Sequence, residues 1–494
     1  MTGGSAETVG EGTRIIMTDG HDRGAAAPDA TWARRLPRAL VAAALLVWAV
    51  VFLAVYVPRV GHGFVQDDFA WIASSRVAHL SDVARIFRHD NGFYRPVVAL
   101  TFAADRALFG LRPFGYGLTN LLLALACAMG IAWLARGFTL RWPAAVFAAA
   151  LWLLNPHGLH WALLWTSGRT ALLLSLFAAL TAAAVVRARW PLAGAFFAAA
   201  LLSKEEAVVM GAVLTAWLSI LPRPAIRGRR VAWYTVWTGI WLVILGAYFW
   251  ARSRTGAMMP WTAPAYYTFT FAPAAVFRNL LEYLDRSSTF AVAATLVALV
   301  LLRPARWRPA PNTKRALICC ALWIAGGLAI TIFLPVRSDL YACLPSIGTC
   351  LAAAIVVDRA WTWSTLASRR RAVVVAAIVP IVLSPMYVSR SARWVSLAEL
   401  STRVLDELPA LTEDLPAGST VVLHDDAASR ANLSGAFGVM LNDAWSLEGH
   451  RPLVFWLDSR SGGRPRPCAA CAARSLRLVG GHLVRGDERG SAGP

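Results

Sequence analysis

Long apolar runs recur along most of the chain, separated by short connections in which arginine supplies most of the charge. A bilayer core about 30 Å thick is crossed by roughly 20 helical residues rising about 1.5 Å each, so such runs predict transmembrane helices. They fall at residues 39–57, 117–134, 143–154, 170–186, 192–202, 207–221, 232–249, 290–302, 316–334, 341–357 and 372–388, about eleven spans in all. The fold class that follows is an all-α polytopic membrane protein with a core at 31–388. Residues 1–30 are rich in Gly, Ala and Thr without periodicity and read as a disordered cytoplasmic tail. The first run follows Arg34, Arg35 and Arg38 and lacks a small-residue cleavage site, which predicts an uncleaved anchor. Two regions break the pattern. Residues 58–116 form a long first external loop, amphipathic at 80–87 and 97–109, where interfacial helices are expected. Beyond 389, β-branched alternation at 419–424 and 453–457 predicts strands. Residues 389–460 therefore read as a small extracytoplasmic α/β unit, and 461–494 as a poorly ordered tail.

Charge placement tests the span count. Arg136 with Arg141, Arg187 with Arg189, the arginines between 223 and 230, those between 303 and 315, and Arg359 with Arg369, Arg370 and Arg371 all fall at alternate connections. The positive-inside rule makes these connections cytoplasmic, with the N-terminus on the same side and the C-terminal unit on the other. The formal charge of +20 is then a record of topology and of attraction to anionic lipid, so a nucleic-acid partner is not implied. A composition 57% hydrophobic and only 15% charged, with 22 Trp, agrees with a multi-pass protein of a plasma or inner membrane. Cys127, Cys319, Cys320, Cys343 and Cys350 lie in or beside apolar runs and read as small buried hydrophobes. Cys468 and Cys471 have redox spacing, but without a second ligand pair they predict a local disulfide or free thiols more readily than a metal site.

The candidate chemistry lies on the face opposite the arginine clusters. Asp67 and Asp68 are adjacent in the first external loop, in a chain with only 28 Asp and Glu. Paired carboxylates raise each other's proton affinity, which suits one of them to act as a general base on an acceptor hydroxyl. The other would orient an acceptor group or help hold a divalent cation, a possible cofactor with hard oxygen ligands. The competing reading is a solvated turn or a helix N-cap. Arg169, next to Ser167, Gly168 and Thr170 at the start of a span, offers a fixed fork for a phosphate oxygen; its alternative is a side chain snorkelling to the interface. Lys204 and Glu205 recur at the next external turn, where Lys204 would neutralise a phosphate and Glu205 position it, unless both are solvated turn residues. Arg337, Asp339 and Tyr341 repeat the theme. His157 and His160 lack a matched carboxylate for metal binding and more often make hydrogen bonds or substrate contacts. Together, two acids, several separate cations and many aromatics describe a pocket for an anionic lipid carrier and a polar acceptor.

The ordered set Phe64-Val-Gln-Asp67-Asp68, Tyr94-Arg95-Pro96, Gly115-Tyr116-Gly-Leu-Thr-Asn120, Asn155-Pro156-His157 with Ser167-Gly168-Arg169, Ser203-Lys204-Glu205, and Asp339-Leu-Tyr341 with Leu344-Pro345-Ser346-Ile-Gly348 resembles the GT-C class of membrane glycosyltransferases. The similarity is closest to the protein O-mannosyltransferase and TMTC-like branch, and more distant to aminoarabinose and arabinosyl transferases. It covers residues 64–348. The resemblance implies a GT-C fold and an inverting single displacement of a sugar from a polyprenyl-phosphate donor, with Asp67 or Asp68 as base. It implies phosphate contacts from Arg169, Lys204 and Arg337, within a substrate-binding set that also includes Tyr94, Arg95, His157, Glu205 and Tyr341. Two departures stand out. Relatives often show Glu-Arg-Tyr where this chain reads Arg337-Ser-Asp339-Leu-Tyr341, and the tetratricopeptide array common in the TMTC-like branch is replaced by the unit at 402–460. The acceptor is therefore open among glycan, lipid and protein. The competing functions are a lipid-linked glycan transporter, which needs ionisable groups deep in the spans and reachable from both faces, and a non-catalytic membrane scaffold, which would leave the Asp pair outside any cavity.

Overall fold

The structure is a computed structural model and describes residues 38–88, 92–221, 230–258, 263–305, 311–426, 429, 431–458 and 473–486. The expected disordered tail at 1–30, the basic stretch around 223–229 and the Cys468–Cys471 pair lie outside the described residues. The chain opens with α1 (Arg38–Tyr56) and enters the first loop through α2 (Asp67–Ser74), α3 (Leu80–Ile86) and α4 (Pro96–Phe109). It continues through α5 (Pro113–Gly137), α6 (Trp142–Leu153), α7 (Gly158–Leu164), α8 (Arg169–Val186), α9 (Trp190–Leu201) and α10 (Met210–Ile220). Next come α11 (Arg230–Ser253), α12 (Pro273–Leu302), α13 (Pro311–Leu328), α14 (Cys343–Thr362) and α15 (Leu366–Thr412).

Every one of the expected apolar runs is helical, but eight are long and apolar enough to cross a membrane by themselves. The other three, α6, α9 and α10, have 11 or 12 residues. At about 1.5 Å per residue they reach less than 20 Å, so the turns that end them stop short of a full crossing. This shortfall places the turns at 154–157 and 203–209 inside the bundle. The central helices are α8 and α14, whose span windows are each 83% buried, against 17% for α1 and 11% for α12. Helix α8 reaches the centre because Ala178, Ala179, Ala182, Ala183 and Ala184 are fully buried, small enough to let neighbouring backbones approach. Leu46, Leu242, Val243, Val300 and Val382 face outward from the rim.

Contacts at the helix ends sort into two sets, as the charge pattern requires. At the arginine-rich end, Arg141 binds the Asp358 carboxylate at 2.8 Å and Arg187 donates to the Trp133 carbonyl. At the other end, Asn155 donates to the Arg286 carbonyl at 3.2 Å and Val97 N–H to Leu202 at 3.1 Å.

The first loop carries α3 and α4 where amphipathicity placed them. The α/β unit is larger than expected. Strands β1 (Thr420–His424) and β2 (Val454–Asp458) were anticipated, but β3 (Arg474–Val479) and β4 (His482–Arg485) lie within the stretch expected to be poorly ordered. The sheet order is β2-β1-β3-β4, parallel except for the final hairpin. Leu476, Leu478 and Leu483 point into the core, an alternation hidden by the Gly, Arg and Ser content around it. Two short helices, α16 (Leu433–Phe437) and α17 (Leu441–Leu447), cover the sheet. Nor is 389 a boundary, because α15 continues unbroken for 47 residues from the membrane span into the unit. Phe69, Trp71, Val98 and Phe102 of the first loop share one core with Leu400, Val404, Phe437 and Phe455. The unit and the loop are therefore a single packed body above the bundle.

Gly117 fixes how that body joins the bundle, since a Cβ there would sit 2.0 Å from the Val60 carbonyl oxygen. Gly117→Ala is expected to force the 57–66 connection outward and to destabilise the protein by about 1–3 kcal/mol, read as a lower melting temperature of the detergent-solubilised chain.

Candidate active site

The acid loop is built from outside itself. Gly63, at φ 121°, lets the chain pass α15, where a Cβ would meet the Ala398 carbonyl at 3.2 Å. Ser401 of the same helix donates to the Phe64 carbonyl at 2.6 Å. Gln66 then takes φ 50° and ψ −125°, a region that favours glycine and costs a side-chain-bearing residue about 1–3 kcal/mol. Helix α2 starts immediately afterwards, with Asp67 and Asp68 in its first turn, where the helix dipole favours negative charge.

The two aspartates have different surroundings. Asp68 is fully buried, and its Oδ1 accepts hydrogen bonds from Ser167 N–H at 2.6 Å and Ser167 Oγ at 2.5 Å, while Oδ2 accepts from Val65 N–H at 3.0 Å. Burial pushes its carboxyl up to about 7, offset in part by the Ser167 and Val65 donors. Both of its oxygens are committed to protein. Asp67 is half-buried, and among the described residues its carboxylate accepts no hydrogen bond. Burial raises its proton affinity and the charge of Arg95 lowers it. A raised, unengaged, water-accessible carboxylate fits a general base; a buried one with every acceptor used fits a structural role.

Arg95, expected to bind substrate, forms a bidentate pair with Glu205, Nη2 to Oε2 at 2.7 Å and Nε to Oε2 at 3.0 Å. Arg252 closes the group with Nη1 on Glu205 Oε1 at 3.2 Å. The guanidinium of Arg95 holds Glu205 down to about 2 against its burial, and Glu205 raises Arg95 in return. Lys204 pairs with Glu206 at 3.1 Å, not with its neighbour Glu205, and its ammonium lies 4.8 Å from the centre of the Tyr341 ring. Tyr267, raised to about 12 chiefly by burial, feels the charges of Arg95, Asp67 and Glu205. Asp67, Arg95, Lys204, Glu205 and Tyr341 thus come together, whereas Tyr94 is buried beneath Tyr248 as packing.

Arg169, expected to contact a phosphate, has its guanidinium committed within the protein. It is fully buried, with Nε on Asn120 at 2.9 Å, Nη2 on Asp105 at 2.5 Å and on the Tyr116 carbonyl at 3.0 Å, and its guanidinium over the Phe102 ring. The sequence suggested an anion-binding fork because it could not reveal Asp105, 64 positions away, as the carboxylate that fills it.

A second charged group adjoins Tyr341 through Tyr283, whose ring lies 5.8 Å from that of Tyr341. Here Asp339 receives Arg286 at 2.9 Å, His157 at 3.6 Å and Arg390 at 3.7 Å, and Glu282 receives Arg337 at 2.9 Å and also Arg286. Three arginines and a histidine thus face two carboxylates, and Arg337 and Arg390 remain about 45% and 35% exposed. Arg337 and His157 belong to this group. Arg286, Arg390 and Arg252 were missed by the sequence reading; the available signal was their position just beyond an apolar run, at the end that also carries the acids. His160 adjoins the second group without pairing with it, its Nδ1 3.0 Å from Tyr56 Oη, and burial, helped by the charge of Arg390, lowers it to about 4.

An apolar groove of about 600 Å³ runs between α1, α6, α12, α14 and α15, from Arg141, Asp358 and Trp361 towards Leu151, Phe290 and Leu383. Arg286 precedes Phe290 by one helical turn and Arg390 follows Leu383 by two, so the second charged group lies one to two turns beyond this end of the groove.

No family model matches the chain, and no curated protein matches it. Solved structures do. The crystal structure of ArnT from Cupriavidus metallidurans in the apo state aligns at 16% identity, TM-score 0.50, over 83% of this chain and 85% of that one. The form bound to undecaprenyl phosphate aligns at 14% identity, TM-score 0.52, over the same shares. The fold is that of ArnT. This is the GT-C architecture expected from the motifs, although the ArnT likeness does not single out the TMTC-like branch.

Among the described residues no group of three or more His, Cys, Asp or Glu side chains could hold a metal ion. With both Asp68 oxygens engaged, Asp67 would be the lone carboxylate of the pair left for a divalent cation, so the pair does not fit the cation that the sequence left open there.

The Asp68 shift has a definite sign. The native carboxyl keeps its proton to about 7 while an unfolded one releases it near 4, so the native state binds more protons in between and stability falls as pH rises through that window. The parent is expected to melt at higher temperature at pH 5.5 than at pH 8, and Asp68→Asn to lose most of that difference, as read by scanning fluorimetry. Equal pH dependence in both proteins would contradict the assignment.

Proposed function

We propose that the chain is a membrane glycosyltransferase that moves a sugar from a polyprenyl-phosphate carrier to an acceptor hydroxyl on the non-cytoplasmic face, with inversion and with Asp67 as general base. The observation that carries this reading is the convergence of an unengaged, half-buried carboxylate with a separate excess of arginine at the end of an apolar groove. The shared fold supports it, since ArnT is a glycosyltransferase of the GT-C kind and one of its structures holds undecaprenyl phosphate.

The chemistry divides between the two groups. The prenyl chain occupies the groove, and the phosphate meets Arg286, Arg390 and Arg337, whose charge exceeds that of Glu282 and Asp339. Asp67 takes the acceptor hydroxyl proton as the new C1–O bond forms on one face of the sugar. The bond from C1 to the phosphate oxygen breaks on the other, and the lipid phosphate leaves as an anion needing no proton. Arginines fixed before the reaction stabilise charge that develops in the transition state, the term that usually contributes most. Tyr341, Tyr283 and Tyr267 separate acid from cations and supply the ring surface on which a sugar packs. Asp68 acts only by holding the first turn of α2. A flippase needs ionisable groups deep in the spans and reachable from both faces, whereas the groups around Asp67 and Asp339 gather at one end of the bundle.

The test is release of undecaprenyl phosphate from carrier charged with radiolabelled mannose or arabinose, in membranes that supply the acceptor. Asp67→Asn is expected to lower turnover about 10²–10⁴-fold with the protein still folded and inserted. Arg286→Ala with Arg390→Ala is expected to raise the donor KM. Full activity of Asp67→Asn would remove the base assignment, and no release by the parent with either carrier would remove these donors.

A further inference from the structure

The one residue before Asp67 is held by a part of the chain more than 360 positions away. Gln66 donates its backbone N–H to the Ala436 carbonyl at 2.7 Å and its side-chain Nε2 to the Gly435 carbonyl at 2.8 Å. Both carbonyls lie at the end of α16, a five-residue helix whose last carbonyls no helical N–H can reach, so they are open acceptors. The residue type suits them, because a neutral amide donates here whereas a carboxylate would be repelled. Its side chain runs close to Gly438, where an added Cβ would lie 3.9 Å from Gln66 Cγ.

Helix α16 is itself fixed. Asp425 accepts from the N–H groups of Leu433 and Ser434 at 2.8 and 3.1 Å, and Asn432 Oδ1 accepts from Gly435 N–H at 2.7 Å. Phe437 stacks on Phe69 of α2 with ring centres 5.6 Å apart. The positive φ of Gln66 is thus held from outside. Without the side-chain bond, a residue with a Cβ relaxes towards negative φ and turns the Gln66–Asp67 peptide at the start of α2. Asp67 is that helix's first residue, so its carboxylate moves, whereas Asp68 keeps its own attachments to Ser167 and Val65.

We infer that Gln66 is a positioning residue for Asp67, and that the C-terminal α/β unit is part of the transfer site because its α16 carbonyls hold Gln66. The inference rests on the reading of Asp67 as base. It gives the unit a role inside this chain, independent of any partner it binds.

Two variants test it in the full-length protein. Gln66→Ala removes the side-chain bond while its Cβ still disfavours the positive φ, so the residue relaxes out of that torsion; Gln66→Gly removes the same bond and leaves φ free to take either sign, so the torsion is no longer held. Both are expected to lower kcat at least tenfold with undecaprenyl-phosphate mannose or arabinose, whichever the parent turns over, while the donor KM stays within twofold. The acidic limb of the kcat profile is expected to move to lower pH as Asp67 reaches more water. Labelling of Asp67 by a water-soluble carbodiimide, which needs no donor, is expected to quicken at least fivefold in both variants. Parental kcat and parental labelling in either variant would overturn the inference. Asp67→Asn assayed beside them separates the two ideas: if it is inactive and the Gln66 variants are normal, only the positioning role fails, whereas an active Asp67→Asn removes the base itself.

Discussion

The site depends on one short turn, Thr166–Gly168, at the start of α8, one of the two central helices. Ser167 gives both its N–H and its hydroxyl to Asp68, and two residues later Arg169 gives its guanidinium to Asp105, Asn120 and the Tyr116 carbonyl. The first contact anchors α2 and the second anchors α4, so a single segment of the membrane bundle fixes the first loop at two points. Leaving any of these buried groups unpaired costs about 1–3 kcal/mol, more for a charge. Gly168 permits the turn to pack, since a Cβ there would come within 2.5 Å of Ala162.

From that anchor the charges divide by burial. Asp68, Asp105 and Arg169 are dry and fully committed, and they hold the architecture. Asp67, Arg337 and Arg390 keep contact with water and retain capacity for a ligand. Glu205 lies between these extremes, tying the first loop to the end of α11 through Arg95 and Arg252. The short helices α9 and α10 matter here, because a turn that stopped at a full membrane crossing would carry Lys204 and Glu205 away from Tyr341.

Much of this was legible in the sequence. Apolar periodicity and arginine parity located the helices and sorted their ends, because both are set by the bilayer and need no tertiary information. The motifs also placed Asp67, Arg95, Lys204, Glu205 and Tyr341 at one end. Partner choice was not legible. Arg169 and Asp105 pair across 64 positions, Gln66 and Gly435 across 369, and no local pattern marks either contact. Adjacent aspartates looked equivalent for the same reason, since only packing decides which one is sealed beneath Ser167. The strands at 474–485 were lost to composition, their alternating leucines outweighed by surrounding glycine and arginine.

A cryo-EM map of the chain with undecaprenyl phosphate bound would show directly whether the arginines at the end of the groove receive the lipid phosphate. Phosphate density is expected in hydrogen-bond contact with Arg286 or Arg390, on the far side of Tyr341 from Asp67, with prenyl density along the groove between α1, α6, α12 and α15. Phosphate density at the Arg141–Asp358 end, or a lipid lying wholly outside the groove, would contradict this placement.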